Sequence, residues 1–581
     1  MFALRRRWGW GRPGWGRLLR RFRHPLPAAF AVLALLVLIG GAIYPPTNYT
    51  GLNYHLARVL QWLAHGQWCW IHTANTRMNF SGCAFEWLTT PLVLFTQSDR
   101  ALFLVNFIPL LLLPGLIFSA FTRLGVRARA AWHWMWLLPT GYNFLLQAGS
   151  IDNDFFATVF ALAAIDFGCR AWASRRLRDL WTSALAVALL TGTKPTNLPL
   201  LLPWLILVLP LFSMVRRHWL STLCVTALGL VASFLPIALM NVVYSRDWLG
   251  RSVLAMNLEV HRPLVGLAGN AFQLLLDNFT PTVFPLAAWW NQHVPLWAPP
   301  SVMAAFNDNF DPCFFLLGEV PTEDWAGLGF GLCVLLVASV VGSLRWRRDP
   351  RPVLASNLMP PWLRRGVMLA AWISLLAYSM KSGMATAARL IAPYYLLLLP
   401  LLLTGAGQSQ IVRATWWRVL AGGALGLALV AVALSPDRPL WPAKTILSQV
   451  LAQHPGQHLA ARAFQVYDVY SHRNDALAGV RALLPPGLKV VGFLGHGDDC
   501  DISLWRPFGS RRVEHFLLTD SPEFIRARAQ YVVVGGGNLD WKHVRLDDWL
   551  RRNGAELVAT TNAVIKATGE SQFWYVTRLK P

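Results

Sequence analysis

Between Ala28 and Ile43 the chain carries no charged residue, and apolar runs of this kind recur through its first three quarters. A helix needs about 20 such residues to cross a hydrocarbon core of about 30 Å, and a soluble core has no use for many of them. In lipid every backbone N–H and C=O must be paired within the span, so the pattern demands a polytopic helical membrane protein. Spans are expected at roughly 28–43, 101–122, 131–147, 154–170, 180–192, 197–214, 219–243, 325–343, 367–380, 390–406 and 418–435, about eleven in all. Only 14% of the 581 residues are charged and 55% are hydrophobic, which excludes disordered, collagen-like and disulfide-rich secreted classes.

The formal charge of +23 would suggest nucleic acid in a soluble protein. Sorted along the expected spans, it has another meaning. One side collects Arg5, Arg6, Arg7, Arg12, Arg17, Arg20, Arg21 and Arg23 with the short loops around Arg127, Arg175, Arg216, Arg347, Arg364 and Arg413, 25 positive residues in total. The other side, up to residue 435, has 9: Arg58, Arg77, Arg100, Lys194, Arg246, Arg251, Arg262, Lys381 and Arg389. Cytoplasmic loops carry such an excess, so residues 1–27 are expected in the cytoplasm of a multi-pass plasma (inner) membrane protein and no nucleic-acid partner is implied. No small-residue cleavage site follows the first run, which ends at Tyr44-Pro45-Pro46, so it reads as an uncleaved span. The long loops 46–100 and 244–324 and the tail 436–581 fall outside.

In the tail the apolar runs shorten to strand length, as in Lys489–Leu494, Gln530–Val534 and Gln572–Val576, and alternate with helical stretches at 474–484, 521–529 and 546–553. A small extracytoplasmic α/β domain is expected at 436–581, beyond a transmembrane domain at 28–435. Gly495-His-Gly and Gly535-Gly-Gly follow strands, but neither has the spacing of a dinucleotide or phosphate loop. Cys69 and Cys83 share the first outer loop and would stabilise it by about 3 kcal/mol if oxidised. Cys169, Cys224 and Cys333 read as packing residues.

Four places on the outer side carry chemistry. From Gly51 the apolar residues Leu52, Leu56, Val59, Leu60 and Leu63 recur at helical spacing while His55, Arg58 and Trp62 share another face, as in a helix lying at the interface. Asp152 and Asp154 stand two residues apart at a helix start, where carboxylates could bind a divalent metal, deprotonate an acceptor hydroxyl or cap the helix. Lys194 lies between two apolar runs, a costly position unless it pairs, meets an anion or snorkels to headgroups. Lys381 and Arg389 flank the last outer junction, suited to a phosphate or to lipid headgroups. Carboxylates, an imidazole and cations on one side of one membrane suit group transfer from a membrane-bound phosphate donor.

The order of Tyr54-His-Leu-Ala-Arg-Val, Phe85-Glu-Trp-Leu, Asn153-Asp154, Gly192-Thr-Lys, Glu323-Asp324-Trp-Ala-Gly and Arg389-Leu-Ile-Ala-Pro resembles the GT-C glycosyltransferases, more narrowly the family-39 type related to protein O-mannosyltransferases and lipid A aminoarabinose transferases. The resemblance spans about residues 28–405. It implies a polyprenyl-phosphate-linked sugar donor, a saccharide, lipid or protein acceptor, and a site facing away from the cytoplasm. On it Asp154, with Asp152 beside it, would be catalytic, and Lys194, Arg389 and Lys381 would hold the donor phosphate; beside the resemblance, Glu86 is a further catalytic candidate, Asp152 and Asp154 are candidate metal ligands, and Tyr54, His55 and Arg58 would line the substrate cleft. One position departs: the aspartate expected four residues before Tyr54 is Thr50, which cannot act as a base near neutral pH. The alternative is a diverged, non-enzymatic member that binds lipid-linked saccharide or a partner protein. A secondary transporter fits less well, because apart from Asp166 near an inner end the acids lie outside the expected spans.

Overall fold

The computed structural model describes residues 20–250, 260–297, 299–345, 359–566 and 569–580. Of the charges that set the expected orientation, Arg5, Arg6, Arg7, Arg12, Arg17, Arg347, Arg348, Arg351 and Arg251 lie outside the described residues.

Helices of the first part are α1 (Pro25–Ile43), α2 (Leu56–His65), α3 (Ala84–Thr96), α4 (Leu104–Arg123), α5 (Asn153–Ser174) and α6 (Leu177–Thr193). They continue with α7 (Trp219–Ala232), α8 (Leu235–Ser245), α9 (Pro263–Phe279), α10 (Phe330–Leu344), α11 (Pro361–Ser379), α12 (Ala392–Leu403), α13 (Thr415–Leu434) and α14 (His458–Arg473). Among the described residues five segments are long and apolar enough to cross a membrane: α1, α4, α5, Pro195–Arg217 and α13. The bent pair α7 and α8, with 54° between its halves, makes a sixth if counted as one span.

The expected figure of about eleven is therefore not reproduced as eleven full-length helices. The expected span 131–147 is broken by Pro139 and Gly141 into Ala128–Leu137, a turn and Tyr142–Ala148. At 219–243 the break falls at Ser233-Phe234, before Pro236 in the first turn of α8. The apolar helices α10 and α12 have only 15 and 12 residues. Large apolar side chains are exposed on α1 (Leu35), α4 (Leu112), α7 (Leu223), α11 (Leu369) and α13 (Val419), as suits helices that meet hydrocarbon and not water.

Helix α5 is the axis of the bundle, packed against α4, α6 and α12. Its start is fixed locally: Asp152 has extended backbone and its carboxylate accepts from the Asn153 N–H at 2.7 Å, satisfying a donor that the helix cannot. Nearby, Phe155 packs on Phe144 with both rings buried. The N-terminus of α5, with Asp152 and Asp154, is thereby held rigidly at one end of the bundle.

That end carries the sheet domain. Strands β1 (Val490–Leu494), β2 (Arg512–His515), β3 (Tyr531–Gly535), β4 (Ala555–Val564) and β5 (Ser571–Leu579) form one sheet of order β2-β1-β3-β5-β4. The first three are parallel, with Gly492 opposite Val532 and Phe493 opposite Val533; β5 and β4 add antiparallel. The sheet domain packs on the first loop through shared apolar residues such as Leu60, Trp62, Val513 and Trp574. Polar ties join them: Gln61 donates to the Val513 carbonyl at 3.0 Å, Asn474 to that of Pro46 at 2.7 Å, and Arg506 pairs with Asp99 at 2.6 Å.

This packing overturns the expectation of an interfacial helix at 47–66. Gly51–His55 is a single π-helical turn leading into α2, and both faces from Leu52 to Trp62 are buried under the sheet domain. Nor is there a disulfide: Cys69 and Cys83 are both free thiols, Cys83 buried. Cys169 and Cys333 are buried as expected, whereas Cys224 is exposed on α7.

Candidate functional site

Four segments far apart in sequence deliver charges to one buried place. The α5 N-terminus brings Asp152 and Asp154; the end of α6 brings Lys194, in extended backbone; the loop before α10 brings Asp324; a short turn before α12 brings Arg389. Lys194 Nζ lies 2.7 Å from Asp154 Oδ1 and 3.8 Å from Asp152 Oδ1. Arg389 Nη1 lies 2.9 Å from Asp152 Oδ2 and 3.4 Å from Asp324 Oδ1, and its Nε lies 3.3 Å from Asp154 Oδ2. Thr50 joins them, its hydroxyl 3.2 Å from both Asp152 Oδ2 and Arg389 Nη1. Arg473 of α14 closes the set at 3.5 Å from Asp324 Oδ2. Three carboxylates thus face three cations.

Their protonation follows from this balance. Burial alone would raise the Asp152 carboxyl, but Arg389 and Lys194 outweigh it and hold the group well below its usual range. Burial would likewise strip the proton from Lys194, but Asp154 and its neighbours keep the ammonium charged, with its pKa above the ordinary value. Asp324 goes the other way: burial dominates Arg389 and Arg473 and pushes it up to about 6. The site therefore holds Asp152 as a firm anion and Lys194 as a firm cation, with Asp324 poised near neutrality beside them.

Stability does not account for such a cluster. Replacing a buried ion network by well-packed apolar residues is often neutral or stabilising, so burying six charges is a poor way to hold a fold. Perturbed carboxyls with named charge partners point to chemistry instead.

A divalent metal fits poorly here. Asp152 Oδ1 caps Asn153 and Oδ2 accepts from Arg389, while Asp154 Oδ1 accepts from Lys194. Only Asp154 Oδ2 makes no hydrogen bond, and two cations stand within ion-pair distance of it or its partner oxygen. Among the described residues no group of three His, Cys, Asp or Glu side chains is placed to hold an ion. The expected metal role of Asp152 and Asp154 is not supported by this donor set.

Glu86, His55 and Arg58 form a second buried group. His55 Nδ1 lies 2.5 Å from Glu86 Oε1, Arg58 Nη2 pairs with the same oxygen, and Arg58 also donates to the Ser81 and Gly82 carbonyls at 2.8 and 3.0 Å. Burial would raise the Glu86 carboxyl, yet Arg58 and His55 hold it below its ordinary value. Burial lowers His55 against the pull of Glu86, which favours a neutral ring with its Nδ1–H on the carboxylate. Arg58, expected to line a cleft, is fully buried. Tyr54 lies between the two groups, feeling Lys194 and Asp152 on one side and Glu86 on the other.

Of the residues picked from the sequence, the structure brings Asp152, Asp154, Lys194 and Arg389 together and places Tyr54 beside them. His55, Arg58 and Glu86 form the adjoining group. Lys381 is exposed at the end of α11, where its carbonyl accepts from the Val260 N–H at 3.1 Å, and it is not among the ion pairs of the cluster. Sequence reasoning missed Asp324 and Arg473 as members. Asp324 carried a usable signal, a Glu-Asp pair just before an apolar run like the acids that open α5. A neighbouring pair, Glu323 with Arg438 at 2.6 Å, is buried beside it.

No family model matches the chain, and no curated protein matches it. Solved structures do align with most of its length. ArnT from Cupriavidus metallidurans in the apo state is 14% identical, covers 94% of this chain and 97% of its own, and has a TM-score of 0.48. The same protein bound to undecaprenyl phosphate gives 13%, the same coverage and 0.45. The Archaeoglobus fulgidus oligosaccharyltransferase in the apo form is 11% identical over 88% of this chain and 69% of its own, at 0.40. These are glycosyltransferases of the GT-C kind that the motif order resembles.

Proposed function

We propose that the protein is a membrane glycosyltransferase that moves a sugar from a polyprenyl-phosphate-linked donor to an acceptor hydroxyl, at the membrane face that carries the sheet domain. The observation that supports this reading is the pairing of two buried cations, Lys194 and Arg389, with two buried carboxylates, Asp152 and Asp154, at a rigid helix start. A lipid phosphate entering the cluster competes with the carboxylates for the same cations. As it takes Lys194 and Arg389, Asp154 and Asp152 lose their partners and become bases.

The step then balances. The acceptor hydroxyl gives its proton to Asp154 or Asp152 while its oxygen bonds to the anomeric carbon; the bond from that carbon to the phosphate oxygen breaks, and polyprenyl phosphate leaves with the charge neutralised by Lys194 and Arg389. Tyr54 and Thr50 line the same place and orient the ligands. Glu86, with His55 and Arg58, holds the turn that carries Tyr54 and Thr50, a positioning part.

The test uses the full chain in nanodiscs supplied with lipid-linked sugars and a mixed acceptor extract. Asp152→Asn/Asp154→Asn should lower transfer about 10²–10⁴-fold, the usual contribution of a general base. Transfer retained in that double variant would remove the catalytic assignment. A second reading, binding without catalysis, draws on Thr50 at the expected aspartate position and on carboxylates that are all paired with cations. Full transfer by the native sequence would exclude it; absence of transfer, with gain of activity in Thr50→Asp, would support it.

A further inference from the structure

The two glycine-containing turns singled out in the sequence meet at one cavity outside the charged cluster. Gly495-His496-Gly497 follows β1 and Gly535-Gly536-Gly537 follows β3. In the order β2-β1-β3 the chain leaves β1 to one side for β2 and returns on the other for β3, so the carboxyl ends of β1 and β3 flank the switch point where open α/β sheets bind ligands. A cavity of about 120 Å³ lies there, its lining including Tyr49, His496, Asp498, Asp499, Trp541, Lys566 and Gln572. At a liquid volume of about 30 Å³ per water that is room for about four waters, enough to receive one side of a sugar ring.

Its lining has a definite chemistry. Trp541 is 56% exposed, an uncommon position for an indole on a soluble domain, and its ring meets that of His496 edge-on at 5.4 Å. Beside this apolar plate stand two carboxylates, an amide and an imidazole. Asp499 accepts from the His496 N–H at 2.7 Å, and Asp498 is tied to Arg77 at 3.2 Å, so both are fixed in place. Set against the single ammonium of Lys566, two carboxylates at the glycine turns oppose a phosphate, which argues against a nucleotide. An aromatic face with fixed acceptors for hydroxyl protons is what an uncharged sugar ring needs: its C–H face lies on the indole and its hydroxyls donate to the carboxylates.

The cavity is joined to the transfer site by one residue. Tyr49 donates its phenol to the Asp498 carbonyl, while its backbone N–H points at Asp324 Oδ2, 3.4 Å away, and Thr50 comes next in the chain. Asn53, two residues before His55, donates to the Gly497 and Asp499 carbonyls at 3.4 and 3.3 Å. A ring seated at Trp541 is therefore a tyrosine's length from the charged cluster.

We propose that this cavity is the acceptor subsite and that the acceptor is a glycan presenting an uncharged sugar ring, held by Trp541, Asp498, Asp499 and Gln572. The proposal rests on the transferase reading for the word acceptor, but the binding it asserts can be measured without transfer. The full chain in nanodiscs is mixed with free mannobiose, cellobiose, galactobiose and chitobiose, and saturation-transfer NMR reads which rings contact protein. At least one disaccharide should bind, and Trp541→Ala and Gln572→Ala should each weaken it five-fold or more. Both side chains are accessible, so the variants should fold, which unchanged unfolding midpoints would verify. Asp152→Asn/Asp154→Asn should bind the disaccharide as the native chain does. Absence of binding by all four sugars, or binding unchanged in both cavity variants, would overturn the subsite; loss of lipid-phosphate binding with sugar binding intact would instead count against the transferase reading.

Discussion

Removing Arg389 puts the charge balance of the site to a quantitative test. Its guanidinium reaches Asp152, Asp154 and Asp324 within 2.9–3.4 Å and is 3% exposed. In Arg389→Met, three carboxylates face only Lys194 and Arg473. Breaking a buried pair in this way costs about 3–5 kcal/mol when the stranded charge cannot escape. Here it can, because one proton restores neutrality and Asp324, at about 6, is placed to take it. In the native chain the folded Asp324 carboxyl lies above its unfolded value of about 3.9. The folded state therefore holds the extra proton between those values, and this contribution to stability is complete below pH 4 and lost as pH rises through 6. Without Arg389 the folded value climbs further, so the variant keeps its proton to higher pH. Its deficit against the native chain should shrink by about 1.4 kcal/mol per pH unit, from about 3–4 kcal/mol at pH 8 to about 1 near pH 6. Equilibrium unfolding in nanodiscs, followed by tryptophan fluorescence between pH 5.5 and 8, measures it. Arg389→Met/Asp324→Asn, neutral without a proton, should recover about 2 kcal/mol at pH 8 and lose most of the pH dependence. A deficit that does not change with pH, or a double variant weaker than the single one, would refute the cluster's geometry.

Other perturbations separate structural from functional charge. Glu86→Gln leaves Arg58, fully buried, facing His55 without a full counter-charge and should cost about 3–5 kcal/mol in the same unfolding assay. Thiol counting under denaturing, non-reducing conditions should find Cys69 and Cys83 both reactive, and added reductant should leave the unfolding midpoint unchanged. Thr73→Val removes the 2.7 Å partner of His515, which is tied in turn to Asp501 at 2.8 Å; hydrogen exchange in β2 should quicken while the affinity for lipid phosphate stays as it was.

How much of this was legible in the sequence depends on the kind of signal. Long apolar runs announce a membrane protein because length alone decides it, and α1, α4, α5 and α13 stand where the runs predict. Runs broken by Pro139 and Gly141, or bent at Ser233-Phe234, keep their hydropathy while losing their straightness, so counting by composition overstates full spans. The strands at 490, 531 and 571 were readable from their apolar blocks; β2 and β4 were not, because Arg512-Val-Glu-His and Ala555–Val564 alternate only weakly. The helix after Gly51 misled because amphipathicity reports two different faces and does not say what covers the polar one. Once buried, His55 and Arg58 both face Glu86, and Arg58 also donates to the Ser81 and Gly82 carbonyls, so their partners come from the protein and not from water.

The site itself was half legible, for a physical reason. Asp152, Asp154, Lys194 and Arg389 each stand at the edge of an apolar run, where a charge is costly enough to need explanation. Asp324 stands at such an edge too, while Arg473 sits in an ordinary amphipathic helix where an arginine costs nothing, and only the fold brings it 3.5 Å from Asp324. That one contact alters the reading of the tail. With α14 supplying the third cation and Tyr49 held between Asp324 and Asp498, the sheet domain does not sit beside the cluster as a separate recognition module. It helps to set the cluster's charge and, through Tyr49, shares a wall with it, so occupation of the cavity at Trp541 has a direct mechanical route to Thr50 and the groups it bonds.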